Sequence, residues 1–441
     1  MNARIRKFLT QLADTFWVLP GVMVLTGVLA AIGLIAMDRS GVLPDSLLKN
    51  RWLYDGGGTG ARTLLGAVAA STIGVAGTVF SITIAALSLA AGQMGPRLLR
   101  NFVRDRGNQF TLGAFLGTFS YALMVLRSVR TQSEGEFIPH LALSVGIMLA
   151  FVCVATLVYF VGHMAGRINV DTVIGLVSDD VHSALKHLAV EKAQPAPPPS
   201  SHWRDAVAVV DPRRGYLQHL DEEELAGWAA ENNTALRLLV RPGDYVFPGA
   251  PIALALTTAA AEDIAAAIRN ATALGPQRGS AADIDFSVRQ LVEVAVRALS
   301  PGINDPYTAM SVLDRLGTTL CDLVPLHLPT GVSLDGERVM LVVPSIDYDG
   351  LVDSMFHMIR QNARGSTAVL LRILTVLTWV LSCERDSSRI QTLQRHADLV
   401  LDDAGRNVAN QADLDDIRKR FQRFAAIRDL GIVEAMAAAA R

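Results

Sequence analysis

The sequence predicts an α-helical transmembrane domain of four spans followed by a cytoplasmic α+β region, in which a small barrel-sandwich-like β module precedes a mainly helical part. Three observations carry that prediction. Of the 441 residues, 51% are hydrophobic and 19% charged, and the mean hydropathy is +0.32, which is too apolar for a soluble globule. Residues 16–37, 63–96, 107–126 and 137–166 contain no Asp, Glu, Lys or Arg, and each run reaches the roughly 20 residues a helix needs to cross a hydrocarbon core. Beyond a stiff stretch at 193–201, with Pro195, Pro197, Pro198 and Pro199, the apolar pattern changes from helical spacing to alternation.

The domain boundaries follow: a four-helix membrane domain over 1–166, an amphipathic stalk helix over 167–192, the linker at 193–201, the β module over 202–258, and a mainly helical domain over 259–441 with a hairpin near 331–343. The first span follows Arg4, Arg6 and Lys7, but its apolar run exceeds a secretory signal core, so it reads as an uncleaved anchor. The connection at 97–106 holds four arginines against one aspartate, whereas that at 127–136 holds two charges of each sign. The positive-inside tendency therefore puts both termini in the cytoplasm. The GlyGlyGlyThrGly run at 56–60 reads as a flexible approach to the second span.

That second span is the informative one. Its charge-free run of 34 residues would measure about 51 Å as a helix, against a hydrocarbon core of about 30 Å. Along it Ser71, Gly74, Thr78, Ser81, Ala85, Ser88 and Gly92 recur at spacings of three and four, so one narrow face is small or hydroxylated throughout. Two physical uses compete. Copies of this helix around an axis would line a water-filled path with hydroxyls, with Arg97, Arg100 and Arg104 at its cytoplasmic mouth drawing ions or small anions. Alternatively the small residues let helix backbones approach one another within a dry bundle, their hydroxyls bonding back to their own turn. No span carries the ionisable group that marks a proton relay or coupled carrier.

In the stalk, Val170, Ile174, Val177, Val181, Ala184 and Leu188 share one face, suited to a short oligomer stalk or to packing on the helix's own domain. Within the β module, strands are predicted at 206–210, 215–220, 235–240 and 251–256, with Asp221 and Glu224 capping a short helix. The phrase at 240–253 resembles a half-repeat of barrel-sandwich domains that carry biotin or lipoate. No lysine occurs between Lys192 and Lys419, so covalent carriage of such a group there is excluded and no cofactor is expected. Helices follow at 259–269 and 286–299, separated by a GlyPro turn at Gly275 and Pro276, then a hairpin turning at Asp335 and Gly336, and a buried core helix at 367–383. Three distant cysteines form no disulfide framework or zinc site, and the nine histidines show no ligand spacing, so no metal is expected. Neither a nucleophile elbow, a phosphate loop, a zinc helix nor a dinucleotide fingerprint is present, which disfavours an enzyme. The net charge of −2 gives no nucleic-acid platform.

Three phrases together carry a family resemblance: ThrValPheSerIleThrIleAlaAlaLeuSerLeuAla at 78–90, MetGlyProArgLeuLeuArgAsnPhe at 94–102, and ArgAlaLeuSerProGlyIleAsnAspProTyrThrAla at 297–309. The chain resembles the bacterial integral membrane proteins grouped as domain of unknown function family 2254. The resemblance implies residence in a bacterial inner membrane, four spans and a cytoplasmic region, and supplies no activity. In the third phrase Ser300 and Gly302 stop one helix and Asn304 and Asp305 start the next. Arg297, Ser300, Asn304, Asp305 and Thr308 are also candidates for a ligand or subunit contact. The functional expectation is a homo-oligomeric channel whose second span lines the path and whose cytoplasmic region forms a vestibule or gate. The alternative is a membrane-anchored sensor or scaffold whose cytoplasmic module binds a ligand or protein partner.

Overall fold

The computed structural model describes residues 16–40, 56–94, 105–130, 137–257, 259–276, 278 and 284–439. The chain divides into two units, Met1–Thr172 and Val173–Arg441.

Each charge-free run of the first unit forms a helix long and apolar enough to cross a membrane: α1 (Val18–Ser40), α2 (Gly58–Met94), α3 (Arg106–Ser128) and α4 (His140–Ile168). The glycine run expected to be flexible is partly helical, since α2 begins at Gly58. Helix α3 is the hub and packs on all three others. It is the least hydropathic of the four because its polar residues Asn108, Gln109, Thr111, Thr118 and Tyr121 face the bundle interior. Glycine sets its closest approach: a Cβ on Gly27 of α1 would lie 2.5 Å from the Gly117 carbonyl oxygen of α3. A Cβ on Gly113 would lie 2.5 Å from Met23 Sδ. The α1 and α3 backbones therefore touch, the close packing small residues permit in lipid. At one end Tyr121 Oη donates to the Ala142 carbonyl at 2.6 Å, and Asp38 accepts from the first amides of α4, Leu141 N at 3.2 Å and Ala142 N at 3.0 Å. A carboxylate at a helix N-terminus satisfies amides that have no partner inside the helix.

The second unit opens with α5 (Val170–Leu188), whose first residues belong to the membrane unit. Its Ile174, Val177, Val181 and Ala184 are buried, so the apolar face packs within the fold, the plainer of the two uses open to it. After a single 3₁₀ turn at Ser200–Trp203, the strands β1 (Val207–Val210), β2 (Gly215–Leu220), β3 (Ala235–Leu238), β4 (Tyr245–Val246) and β5 (Pro251–Leu256) run with helix α6 (Glu222–Glu231) inserted after β2. Asp221 caps α6, accepting from Glu224 N at 3.0 Å.

Helix α7 (Ala261–Ala271) leads into β6 (Thr272–Gly275), which pairs with β2, so Gly275 of the expected GlyPro turn ends a strand. Then follow α8 (Ile284–Ala298), α9 (Pro306–Leu323) and the hairpin β7 (Val332–Asp335) and β8 (Arg338–Val342). The chain ends with α10 (Tyr348–Asn362), α11 (Thr367–Cys383), α12 (Ser387–Asn407), α13 (Gln411–Leu430) and α14 (Ile432–Ala439).

Two sheets result, β1-β5-β3-β8-β7 and β4-β2-β6, with β3 and β8 the parallel pair. Among the described residues they close no barrel, and the phrase at 240–253 contributes a turn and strands to both sheets. The hairpin expected inside a helical domain instead extends the five-stranded sheet, because Leu236 and Arg237 pair with Leu341 and Val342. Leu225, Ala229, Ile264 and Ile268 of α6 and α7 pack on Val209, Leu236, Leu238 and Ile252 of the strands. In the helical part α11 is the centre, with Val369, Leu370, Ile373, Leu374 and Leu377 fully buried, as expected of a core helix.

Candidate functional site

The stripe on α2 lies on the side turned away from its own bundle. Buried positions Ala61, Leu65, Ala69, Thr72, Ala76, Val79 and Ala86 form one face at spacings of three, four and seven. At about 100° per residue the stripe is centred on the opposite side. Ser71, Gly74, Thr78, Ser81, Ala85, Ser88 and Gly92 are all exposed. A Cβ added at Gly66, Gly74, Gly77 or Gly92 would meet nothing within 4 Å, in contrast to Gly27 and Gly117, where the helix contact explains the glycine. The exposed faces of the neighbours carry more bulk, α1 presenting Val22, Leu25, Leu29 and Ile32 and α4 presenting Met148, Phe151, Val154 and Val158, although Gly21 and Gly33 of α1 and Gly162 and Gly166 of α4 are open in the same way. On α2 such bulk, at Ile73, Phe80, Ile82, Ile84 and Leu89, flanks the stripe.

Three of the hydroxyl donors on this face are used locally. Ser71 Oγ donates to the Val68 carbonyl at 3.1 Å, Thr78 Oγ1 to Gly74 at 3.2 Å and Ser81 Oγ to Gly77 at 2.9 Å. Their oxygens still present lone pairs to whatever lies outside. The helix runs unbroken for 37 residues, about 55 Å at 1.5 Å per residue. Arg97, Arg100 and Arg104, assigned to the cytoplasmic mouth, lie outside the described residues.

Just beyond that stretch, Asp105 caps α3, accepting from Gly107 N at 2.9 Å and meeting His163 Nε2 of α4 at 2.7 Å. The His163 ring stacks on Tyr159. A helix-end interaction accounts for this histidine.

The third family phrase forms the connection between α8 and α9, and it brings the five candidate residues together as a turn. Ser300 Oγ donates to the Arg297 carbonyl at 2.6 Å, and Asn304, at φ 51°, donates its amide to the Ser300 carbonyl at 2.9 Å. Asp305 accepts from Tyr307 N, Thr308 N and Thr308 Oγ1 at 3.1, 3.2 and 2.6 Å. Asparagine tolerates the left-handed backbone here and aspartate is a strong N-cap, so turn chemistry accounts for Ser300, Asn304, Asp305 and Thr308.

Two clusters in the second unit were not read from the sequence. Asp285, 1% exposed, meets Arg278 Nη2 at 2.8 Å, Arg289 Nη2 at 3.0 Å and Arg241 Nη2 at 3.6 Å, and accepts from Ser354 Oγ at 3.0 Å. Burial alone would raise its carboxyl pKa, but Arg289, Arg278 and Ser354 outweigh burial and hold it below the ordinary value. The other cluster is Asp353, His357 and His396, whose ligand-type atoms all lie within 4.8 Å of one another. His357 follows Asp353 by four residues on α10, a same-face spacing that the sequence does display, while His396 comes from α12. The histidines are thus not all without ligand spacing. Burial pushes the His396 imidazole down to about 4, and it is neutral at pH 7.

Comparison with known proteins agrees with the architecture. The family described as "Predicted membrane protein (DUF2254)" matches residues 13–378. The uncharacterized protein MT1328 of Mycobacterium tuberculosis (strain CDC 1551 / Oshkosh) is 32% identical over 430 residues, 94% of this chain and 80% of its own. The uncharacterized protein Mb1321c of Mycobacterium bovis (strain ATCC BAA-935 / AF2122/97) is similar to the same extent. No solved structure matches the chain. A family match across most of the chain, together with four apolar helices of spanning length, places this protein in the DUF2254 family of predicted membrane proteins.

Proposed function

We propose that the protein is a homo-oligomeric channel of the bacterial inner membrane, with α2 of each copy facing a shared path for ions or small anions. One observation carries the reading: the small, hydroxylated face of α2 points away from its own bundle, and a Cβ on its Gly74 would meet nothing within 4 Å among the described residues. A face meant for lipid would resemble those of α1 and α4, since bulky apolar side chains fill acyl-chain surroundings at no desolvation cost. Glycine and serine there leave room for a neighbouring helix or for water. Both termini are assigned to the cytoplasm, with Arg97, Arg100 and Arg104 raising local anion concentration at the inner mouth. The second unit then serves as a cytoplasmic vestibule or gate.

The test is ion flux in liposomes containing the purified protein, with the oligomeric state measured in parallel. Flux above that of protein-free vesicles is expected, falling at least about tenfold when Ser81 and Ser88 are both replaced by Leu. A monomer with no flux, or unchanged flux in the double variant, would remove α2 from the path.

A second reading, a membrane-anchored sensor or scaffold, is favoured by one observation: Tyr307 and Ile303 stand exposed on the otherwise internally satisfied α8–α9 turn. In that reading loss of a bound partner on Tyr307→Ala is the expected result.

A further inference from the structure

We propose that Asp353, His357 and His396 form a binding site for a divalent first-row transition ion of the zinc type. Both imidazoles direct Nε2 at one carboxylate oxygen: His396 Nε2 lies 2.8 Å and His357 Nε2 3.0 Å from Asp353 Oδ1. The ring centroids are 4.9 Å apart. Metal–ligand bonds of about 2.0–2.1 Å at tetrahedral angles need donor atoms roughly 3.3 Å apart, so each nitrogen is already within a few tenths of an ångström of that spacing from the carboxylate oxygen, and the two nitrogens lie within 4.8 Å of each other. Two imidazoles and one carboxylate are a donor set for zinc, cobalt or ferrous iron and a poor one for magnesium or calcium, which take oxygen ligands.

A purely structural role for these histidines explains less. His396 is 1% exposed, and a ring buried for packing normally has both nitrogens bonded. Here the Nδ1 of His396 and the Nδ1 of His357 are both buried without a hydrogen-bond partner, while both Nε2 atoms converge on one point. Asp353 and His357 are half-buried, which leaves the fourth coordination position open to water.

Arg395 is the competitor. Its Nη2 lies 2.7 Å from the same Asp353 oxygen, and a guanidinium there opposes a second cation. Asp398 and Asp402 line the same surface cleft as Arg395 and offer it other carboxylates once it leaves Asp353.

The experiment is calorimetric titration of the purified full-length protein with Zn²⁺, after chelator treatment, with Co²⁺ absorption as a geometric readout. One Zn²⁺ per chain is expected, with a raised melting temperature, tetrahedral-type cobalt bands and no response to Mg²⁺. His357→Ala, at a half-exposed position that tolerates truncation, weakens binding at least about tenfold, and Asp353→Asn does the same. Arg395→Gln, which removes the competing cation, binds more tightly. Equal Zn²⁺ affinity in wild type and His357→Ala, no saturable binding in the wild type, or weaker binding in Arg395→Gln would each overturn the site. Should Asp353→Asn fail to fold, His357→Ala alone decides. None of these results depends on whether the membrane unit conducts.

Discussion

Glycine has two meanings in the membrane helices, and the contacts around each one separate them. Gly27 and Gly117 are required by their own fold, because α1 and α3 meet backbone to backbone there. Gly27→Ala drives a methyl against a carbonyl oxygen that cannot rotate away, so the helices must part. A loss of roughly 1–3 kcal/mol is expected, the usual range for overpacking, read as a lower melting temperature of the detergent-solubilised protein. A Cβ on Gly74 would meet nothing within 4 Å among the described residues, so Gly74→Ala meets no packing penalty there. The same distinction was invisible in the sequence, where both kinds of glycine sit in equally apolar runs. The hydroxyls are alike in this respect, for a serine that bonds its own helix carbonyl is compatible with lipid, a partner helix or water.

At the scale of elements, the local chemistry of helix ends was the most legible feature. Asp221, Asp305, Asp347, Asp386 and Asn410 each accept a hydrogen bond from an amide of the helix they open. Such caps are written in a few adjacent residues, which is why the stop and start around Ser300 and Asp305 could be predicted. Asp305→Ala is expected to cost about 1 kcal/mol, within the range of about 0.5–2 for cap removal, and Asp305→Asn much less. Denaturant unfolding followed by far-ultraviolet circular dichroism checks both. Pairing between strands was less legible. The hairpin at Asp335 and Gly336 was evident from its turn, but nothing local says that β8 lies parallel to β3 about a hundred residues earlier. Likewise Thr272–Gly275 lacks strand signals of its own and is a strand only because β2 offers it an edge. Strand formation depends on a partner, and partners are set by tertiary packing.

For the molecule as a whole, Asp285 ties the sheet region to the helices: Arg241 follows β3, Arg289 lies on α8 and Ser354 on α10. Removing its charge would leave Arg241, Arg278 and the half-exposed Arg289 without the carboxylate they share, each with some access to water. Asp285→Asn is therefore expected to destabilise the second unit by about 1.5–3 kcal/mol. The pH dependence has a definite sign. The folded carboxyl titrates below its unfolded value of about 3.9, so the unfolded chain binds the extra proton first as pH falls. The stability this network contributes is fully present above the unfolded value and is lost as pH drops through the lower, folded one. Melting temperatures measured from pH 7 to pH 3 should stay level above about pH 5 and fall below it, with a smaller fall in Asp285→Asn.

The sequence by itself determined the four apolar runs of spanning length, the stripe on the second helix and the caps, because each is recorded within one helix or one turn, and the family through three short phrases. Only the tertiary structure decided which way the stripe faces, that five strands from two distant segments share one sheet, and that His396 meets Asp353 and His357. Periodicity defines a face of a helix, but what that face meets is set by how the helices pack around α3 and α11, and packing depends on shape and volume across the whole core rather than on neighbouring letters.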